Sequence, residues 1–287
     1  MRQLIIEQNP DKKGLVIIEG KNYRYLRQVL RIKNGYMIVL RLPDGSLCNS
    51  TAASIDDDAK KITLQVCGAL RQAQGPQGSQ GPQNVTQGSQ GPQNVAVPEP
   101  VEGPAIEYSL FQFIPKPQKM DLIVRQATEC GVCNIIPVIS EYTEKGSIAA
   151  FAGGKTGRLE RLERIVKEAR QQSGSPVSTK VFEPVNVEQA LELWQKMNEG
   201  EAAGFILSER VDGCCSVHEA IEKFRQENGG KNPEKIAIVC GNEGGISPEE
   251  REFFVKKGLF YPVHFSVNIL RCETAALYGI AAVQTGV

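Results

Sequence analysis

Residues 236–276, IAIVCGNEGGISPEEREFFVKKGLFYPVHFSVNILRCETAA, constrain the fold more tightly than any other stretch of the chain. An apolar run over 236–240 breaks into Gly241-Asn242-Glu243-Gly244-Gly245, and Ser247-Pro248-Glu249-Glu250 then opens a helix. Ser247 can cap free backbone amides, Pro248 suits the first helical position, and Glu250 stands three residues past the cap. Strand, glycine turn and helix start in that order belong to α/β architecture, in which ligands bind outside the carboxyl ends of strands. Glycines let a backbone approach a ligand with no Cβ in the way. The competing reading of the turn alone is a plain connection that uses glycine to bend.

The end of the stretch adds weight to a site. Asn268-Ile269-Leu270-Arg271-Cys272-Glu273-Thr274-Ala275 sets Arg271, Glu273 and Thr274 in apolar surroundings, and such groups are costly to bury unless something pairs with them.

Upstream, residues 106–114 alternate as a strand, and Met120, Ile123, Val124 and Ala127 recur at helical spacing. Residues 135–139 read as a strand. In the next helix Leu159, Leu162, Ile165, Val166 and Ala169 face inward, with Arg158, Arg161, Arg164, Lys167 and Arg170 outward. Residues 205–207 form another strand, and Ser216 with Glu219 makes a capping box for a further helix. Strands alternating with helices imply a mostly parallel sheet covered on both faces. This α/β domain is expected over 105–287.

Residues 1–70 read differently. Short apolar runs with a turn at Pro43-Asp44-Gly45 suggest a small β-barrel, interrupted by one helix over 22–32 with Leu26, Val29 and Leu30 inward. Lys21, Arg24, Arg27 and Arg31 recur along its other side. The whole chain balances 33 Lys+Arg against 33 Asp+Glu, so any footprint for a polyanion must be local. Residues 1–68 hold 11 Lys/Arg against 7 Asp/Glu, an excess of four that suits phosphate contacts or a solvated helix face.

Over 71–104 the sequence QGSQGPQNV occurs twice, at 77–85 and 87–95. Gly, Pro, Gln and Ser bury too little apolar surface to offset the entropy of ordering, so a disordered linker is expected.

Neither a GxxxxGK[ST] loop nor an early GxGxxG is present, which disfavours phosphate-loop and dinucleotide-binding chemistry. Cys130 and Cys133 have metal-ligand spacing but no second CxxC accompanies them, and no metal is expected. His218 and His264 are too few for a histidine-based triad. The eight cysteines and the lack of a long apolar run fit reduced thiols in a cytoplasmic protein, away from membranes.

The motifs GNEGG, SPEE and ILRCETA, with Lys119-Met120-Asp121, Ala127-Thr128-Glu129-Cys130-Gly131-Val132 and Glu168-Ala169-Arg170-Gln171-Gln172-Ser173, together resemble the RsmE family. These are uridine-N3 methyltransferases of 16S ribosomal RNA in the SPOUT superfamily. The family pattern is close to GPEGG and RILRTETA, and this chain carries Asn242, Asn268 and Cys272 at the differing positions. The resemblance implies an N-terminal PUA-like RNA-binding barrel, a C-terminal domain with a deep trefoil knot, and a homodimer with active sites at its interface.

It further implies that S-adenosylmethionine lies bent among three loops, touched by Leu207, Ser208, Gly241, Asn242, Glu243, Gly244, Gly245, Phe265, Ile269, Leu270 and Thr274. Arg271 would orient the uracil or stabilise its anion, and Glu273 or Glu243 would accept a proton or fix that arginine. Lys21, Arg24, Arg27, Arg31 and Gln172 would face RNA of the small ribosomal subunit. The alternatives are a SPOUT enzyme for another ribosomal or transfer RNA nucleotide, and a non-catalytic RNA-binding protein with no use for three ligand loops.

Overall fold

The apolar runs of the first seventy residues form strands, and the long amphipathic patterns beyond residue 105 form helices. The computed structural model describes residues 3–69, 106–151, 157–209 and 211–287, so the linker expected over 71–104 lies outside the described residues. Contacts group Met1–Glu7 with Ile106–Val287 as one unit and Gln8–Ala105 as the other. Residues 1–7, expected within the first domain, therefore group with the second. Strand β1 (Gln3–Ile5) carries Gln3, whose side-chain amide donates to the Arg170 carbonyl at 2.9 Å, and Lys167 pairs with Glu7.

In the other unit β2 (Leu15–Ile18), β3 (Met37–Arg41), β4 (Leu47–Asp56) and β5 (Lys61–Ala69) pair antiparallel in the order β3-β4-β5-β2. Alternation puts Val16, Ile18, Ile38, Leu40, Ile62 and Leu64 inside. The helix expected over 22–32 is shorter. It runs as α1 (Gly20–Arg24) and widens into a π-helical turn, Tyr25–Val29, where the Leu30 amide reaches the Tyr25 carbonyl and Arg31 adopts φ 51. Asp57 explains the departure. It accepts from the Tyr23 hydroxyl at 2.6 Å and from Arg27 Nε at 2.8 Å, while another Arg27 nitrogen donates to the Ile32 carbonyl. Leu26 is fully buried by the same turn.

In the larger unit, β6 (Glu107–Phe113), β7 (Asn134–Ile139), β8 (Lys180–Val181), β9 (Val185–Asn186), β10 (Ala202–Leu207), β11 (Lys235–Cys240) and β12 (Tyr261–Val263) form a parallel sheet ordered β12-β10-β11-β6-β7-β8, with β9 also on β7. Helices α2 (Pro117–Glu129), α4 (Arg158–Ser173), α6 (Val217–Glu227) and α8 (Cys272–Gly286) cover one face, and α5 (Val187–Met197) and α7 (Pro248–Gly258) the other; α3 (Lys145–Ala149) is a single short turn. Strand residues divide by parity: Ile236, Ile238 and Cys240 join the first core, Ala237 and Val239 the second. The second core is aromatic, with Phe254 5.1 Å from Phe260 in an edge-to-face contact.

Two arginines of α4 depart from the outward face assigned to them. Arg158 is buried, donates to the Pro117 carbonyl and pairs with Asp121 at 2.8 Å. Arg170 is half-buried, and desolvation holds its guanidinium below the usual arginine value. The burial of Arg158 follows from α2 packing across α4, which covers part of the side that a lone helix would show to water.

The expected cap of α7 is present as a reciprocal box: Ser247 Oγ accepts from the Glu250 amide at 3.3 Å and the Glu250 carboxylate from the Ser247 amide at 3.0 Å. Ser247 is fully buried. Ser247→Ala is expected to cost about 1 kcal/mol or more and to lower Tm by roughly 2–4 °C per kcal/mol. Thermal unfolding followed by circular dichroism checks this.

Candidate functional site

Because β12, β10 and β11 are parallel neighbours, the segments that leave their carboxyl ends gather at one edge of the sheet. Together they wall a cleft of about 690 Å³. Leu207, Ser208 and Glu209 come from the end of β10; Gly241, Asn242, Glu243 and Gly245 from the turn after β11; Phe265, Ile269, Leu270 and Arg271 from the segment between β12 and α8.

The glycine turn is fixed by side chains around it. Asn242 is buried; its side-chain oxygen accepts from the Gly244 amide at 2.9 Å, and its side-chain amide nitrogen donates to Ser140 Oγ at 3.2 Å. From below, the fully buried Gln112 donates to the Gly241 carbonyl at 3.0 Å. Gly245 sits at φ +79, and a Cβ on Gly241 would stand 2.7 Å from the Gly245 carbonyl carbon. Both positions need glycine for this turn to close. Gly244 lies outside the cleft wall and backs onto Tyr142, where an added Cβ would stand 2.6 Å from the tyrosine Cβ.

Thr274 lies exposed on α8 outside the cleft wall. Arg271 is exposed at the N-cap of α8, capping through its carbonyl, which accepts from the Thr274 and Ala275 amides, and not through its side chain. Glu273 turns from the cleft toward Lys119. The Lys119 ammonium stands 3.3 Å from Glu273 and 3.4 Å from Glu243, and Glu243 also accepts from the Lys116 amide at 3.1 Å. Burial opposes the charge on Lys119, yet Glu273, Cys272 and Glu243 outweigh it and hold the ammonium above its usual value. Burial likewise opposes charge on Glu273, and its own backbone amide, Cys272 and Lys119 hold that carboxyl below the usual range.

Lys119 and Gln112 escaped the reading of the sequence as site residues. Both sit on elements far from the glycine turn in sequence, and only the adjacency of β6 and β11 joins them to it. Locally Gln112 stands out as a polar residue inside an apolar strand, and Lys119 only as part of a family-resembling segment at a helix start. Gln172 is exposed near the end of α4 and does not line the cleft. In the N-terminal unit Lys21, Arg24 and Arg31 are exposed, whereas Arg27 is committed to Asp57 and Ile32.

Two thiols form part of the cleft floor. Burial, then the hydrogen bond to Glu273, pushes the Cys272 thiol up to about 12, and burial raises Cys240 further. A helix N-terminus and a lysine would favour a thiolate at Cys272, and desolvation wins. Iodoacetamide at neutral pH is therefore expected to label exposed Cys67 while Cys240 and Cys272 stay unmodified in the native protein. Peptide mass spectrometry reads this, and rapid labelling of Cys272 would show a thiolate there.

Comparisons with known proteins agree on one family. The family model described as the RNA methyltransferase domain matches residues 102–284. The ribosomal RNA small subunit methyltransferase E 2 of Borreliella burgdorferi is 25% identical over 289 residues, covering 98% of this chain and 96% of its own. The ribosomal RNA small subunit methyltransferase E of Aquifex aeolicus is 30% identical over 175 residues, 61% of this chain and 66% of its own. The structure of the Neisseria gonorrhoeae methyltransferase E bound to S-adenosylmethionine superposes with a TM-score of 0.71 at 22% identity, over 99% of this chain and 97% of that one, a likeness of fold.

Proposed function

We propose, from the premise that this chain belongs to the RNA methyltransferase family, that it transfers a methyl group from S-adenosylmethionine to ribosomal RNA of the small subunit, at N3 of a uridine. One observation carries the reading: three loops from adjacent parallel strands wall a single cleft large enough for a cofactor of that size. The lining fits. Leu207, Phe265 and Leu270 offer apolar surface, and the turn around Gly241 brings backbone amides and carbonyls to the wall with no Cβ in the way.

S-adenosylmethionine supplies a methyl group already activated by its sulfonium. The protein's work is alignment and charge. The loops of β10, β11 and β12 hold the cofactor and exclude water. Arg271, exposed at the cleft edge, takes the uracil and stabilises the negative charge that develops as N3 gives its proton to solvent; N3 then takes the methyl group and S-adenosylhomocysteine leaves. The target base leaves its stack to reach the cleft. Lys21, Arg24 and Arg31 contact phosphates from the N-terminal unit, whose antiparallel sheet is read as a PUA-like barrel.

The reading extends to a deep trefoil knot in the C-terminal unit and to a homodimer that completes the site. Exposed Val267, Ile269 and Tyr278 near the cleft support a partner surface. No helix among the described residues is long and apolar enough to cross a membrane. A cytoplasmic location follows from the ribosomal substrate.

The test pairs calorimetric titration of the wild type with S-adenosylmethionine with methyl transfer to small ribosomal subunits lacking the modification. Saturable binding and 3-methyluridine in the digested RNA are expected. Binding with a different methylated nucleoside would move the substrate assignment, and no binding by the folded protein would overturn the cofactor.

A further inference from the structure

Lys119 occupies a position that helix energetics alone disfavour. It lies in the first turn of α2, two residues after Pro117 at the helix start, where the backbone dipole favours anions; that turn holds no acidic residue. Its partners account for the placement. Glu243 of the glycine turn accepts from the Lys116 amide at the N-cap of the same helix, so this carboxylate serves α2 as a borrowed cap. Glu273 sits in the first turn of α8, where an anion is favoured. The Lys119 ammonium stands between them at 3.4 and 3.3 Å and also reaches Cys272 Sγ at 3.9 Å. Three elements distant in sequence thus meet at one cation on the cleft wall.

The three side chains are only 27%, 32% and 16% exposed, so the cluster is shielded beyond an ordinary surface pair. Two carboxylates share one ammonium. Without it they would face each other uncompensated in a poorly solvated place, and the segments carrying them would separate.

We propose that Lys119 is a positioning residue for methyl transfer: by bridging Glu243 and Glu273 it fastens the glycine turn to the start of α8 and keeps the cofactor cleft closed. The inference rests on the cofactor assignment above and adds to it a residue that acts through two others. It also changes the role of Glu273. A carboxylate held ionised by its own backbone amide, by Cys272 and by this bridge anchors α8 and is a weak acceptor for the uracil proton.

The experiment titrates S-adenosylmethionine into the full chain by calorimetry, for the wild type, Lys119→Met, Lys119→Arg, Glu273→Gln and the double variant Lys119→Met/Glu273→Gln. Lys119→Met keeps the aliphatic stem and removes the charge. It is expected to weaken binding about 10-fold or more, with Lys119→Arg within about 3-fold of wild type. The double variant is expected to bind more tightly than Lys119→Met, because removing one carboxylate relieves the repulsion that the missing cation exposed. A residue that merely packs would give additive losses. Lys231→Met, which breaks the surface pair with Glu201 outside the cleft, is the control and should bind as the wild type. Wild-type binding that Lys119→Met leaves unchanged, or additive losses in the double variant, would overturn the inference alone. Absence of binding by folded wild type would overturn the cofactor reading and the inference with it.

Discussion

Replacing Arg271 with alanine is expected to slow single-turnover methyl transfer about 100-fold while leaving the Kd for S-adenosylmethionine within about 3-fold. The split follows from the geometry. The guanidinium is exposed at the cleft edge and has no ion-pair partner among the described residues, while the cap of α8 uses the Arg271 carbonyl, which alanine keeps. The fold therefore loses little, and the substrate side of the cleft loses its exposed cation. Removing one preorganised donor from a developing anion costs about 2.7–4 kcal/mol in enzymes that work this way. Lysine at the same position should recover part of the rate, since it restores charge without the planar fork. If Arg271→Ala turns over at the wild-type rate with unchanged cofactor binding, the role given to Arg271 is wrong.

Gly241→Val is expected to weaken S-adenosylmethionine binding about 100-fold or more, measured by calorimetry. The first added carbon would stand 2.7 and 2.8 Å from the carbonyl carbon and oxygen of Gly245, backbone atoms that cannot rotate away. The bridge between Asn242 and Gly245 would open, and with it the wall that presents backbone to the cleft. Overpacking of this kind also costs about 1–3 kcal/mol of stability, so the titration belongs beside a thermal melt. Gly146→Ala, at a helical position with nothing within 4 Å, should leave both unchanged. A Gly241→Val protein that melts cooperatively and binds as the wild type would remove the turn from the cofactor site.

Much of the larger unit was legible because its signals are local. Ser247, Pro248 and Glu250 announce a helix start within four residues, and the box forms as expected. Met120, Ile123, Val124 and Ala127 are buried at the spacing that 3.6 residues per turn requires. The helix over 22–32 was the least legible element. Its apolar stripe predicts the burial of Leu26, but Asp57, some thirty residues away, binds Tyr23 and Arg27 and ends the regular α-helix at Arg24. Arg158 departs from the expected outward face for the same reason: periodicity marks the face turned from the sheet, and α2 covers part of that face. Asn242, a departure from the family pattern, is explained by its hydrogen bonds to Gly244 and Ser140, two partners that proline could not serve.

The sequence by itself determined the strands over 106–114, 135–139, 205–207 and 236–240 with the helices between them that carry a cap or a clear apolar stripe, the glycine turn after β11, and the family that the motifs resemble. Those properties are set by neighbours along the chain: caps, periodicity and backbone freedom. Only the tertiary structure decided which strands lie side by side. The order β12-β10-β11-β6 brings three loops into one cleft and Gln112 beneath Gly241, and the fold carries Lys119 between Glu243 and Glu273. It also left Gly244 and Thr274 outside the cleft wall. Strand order and charge partnership depend on groups from tens of residues apart, as in β10 with β11 and β12, to more than a hundred, as in β6 with β11 and Lys119 with its carboxylates; the burial of the whole sheet enforces their proximity and no local pattern records it.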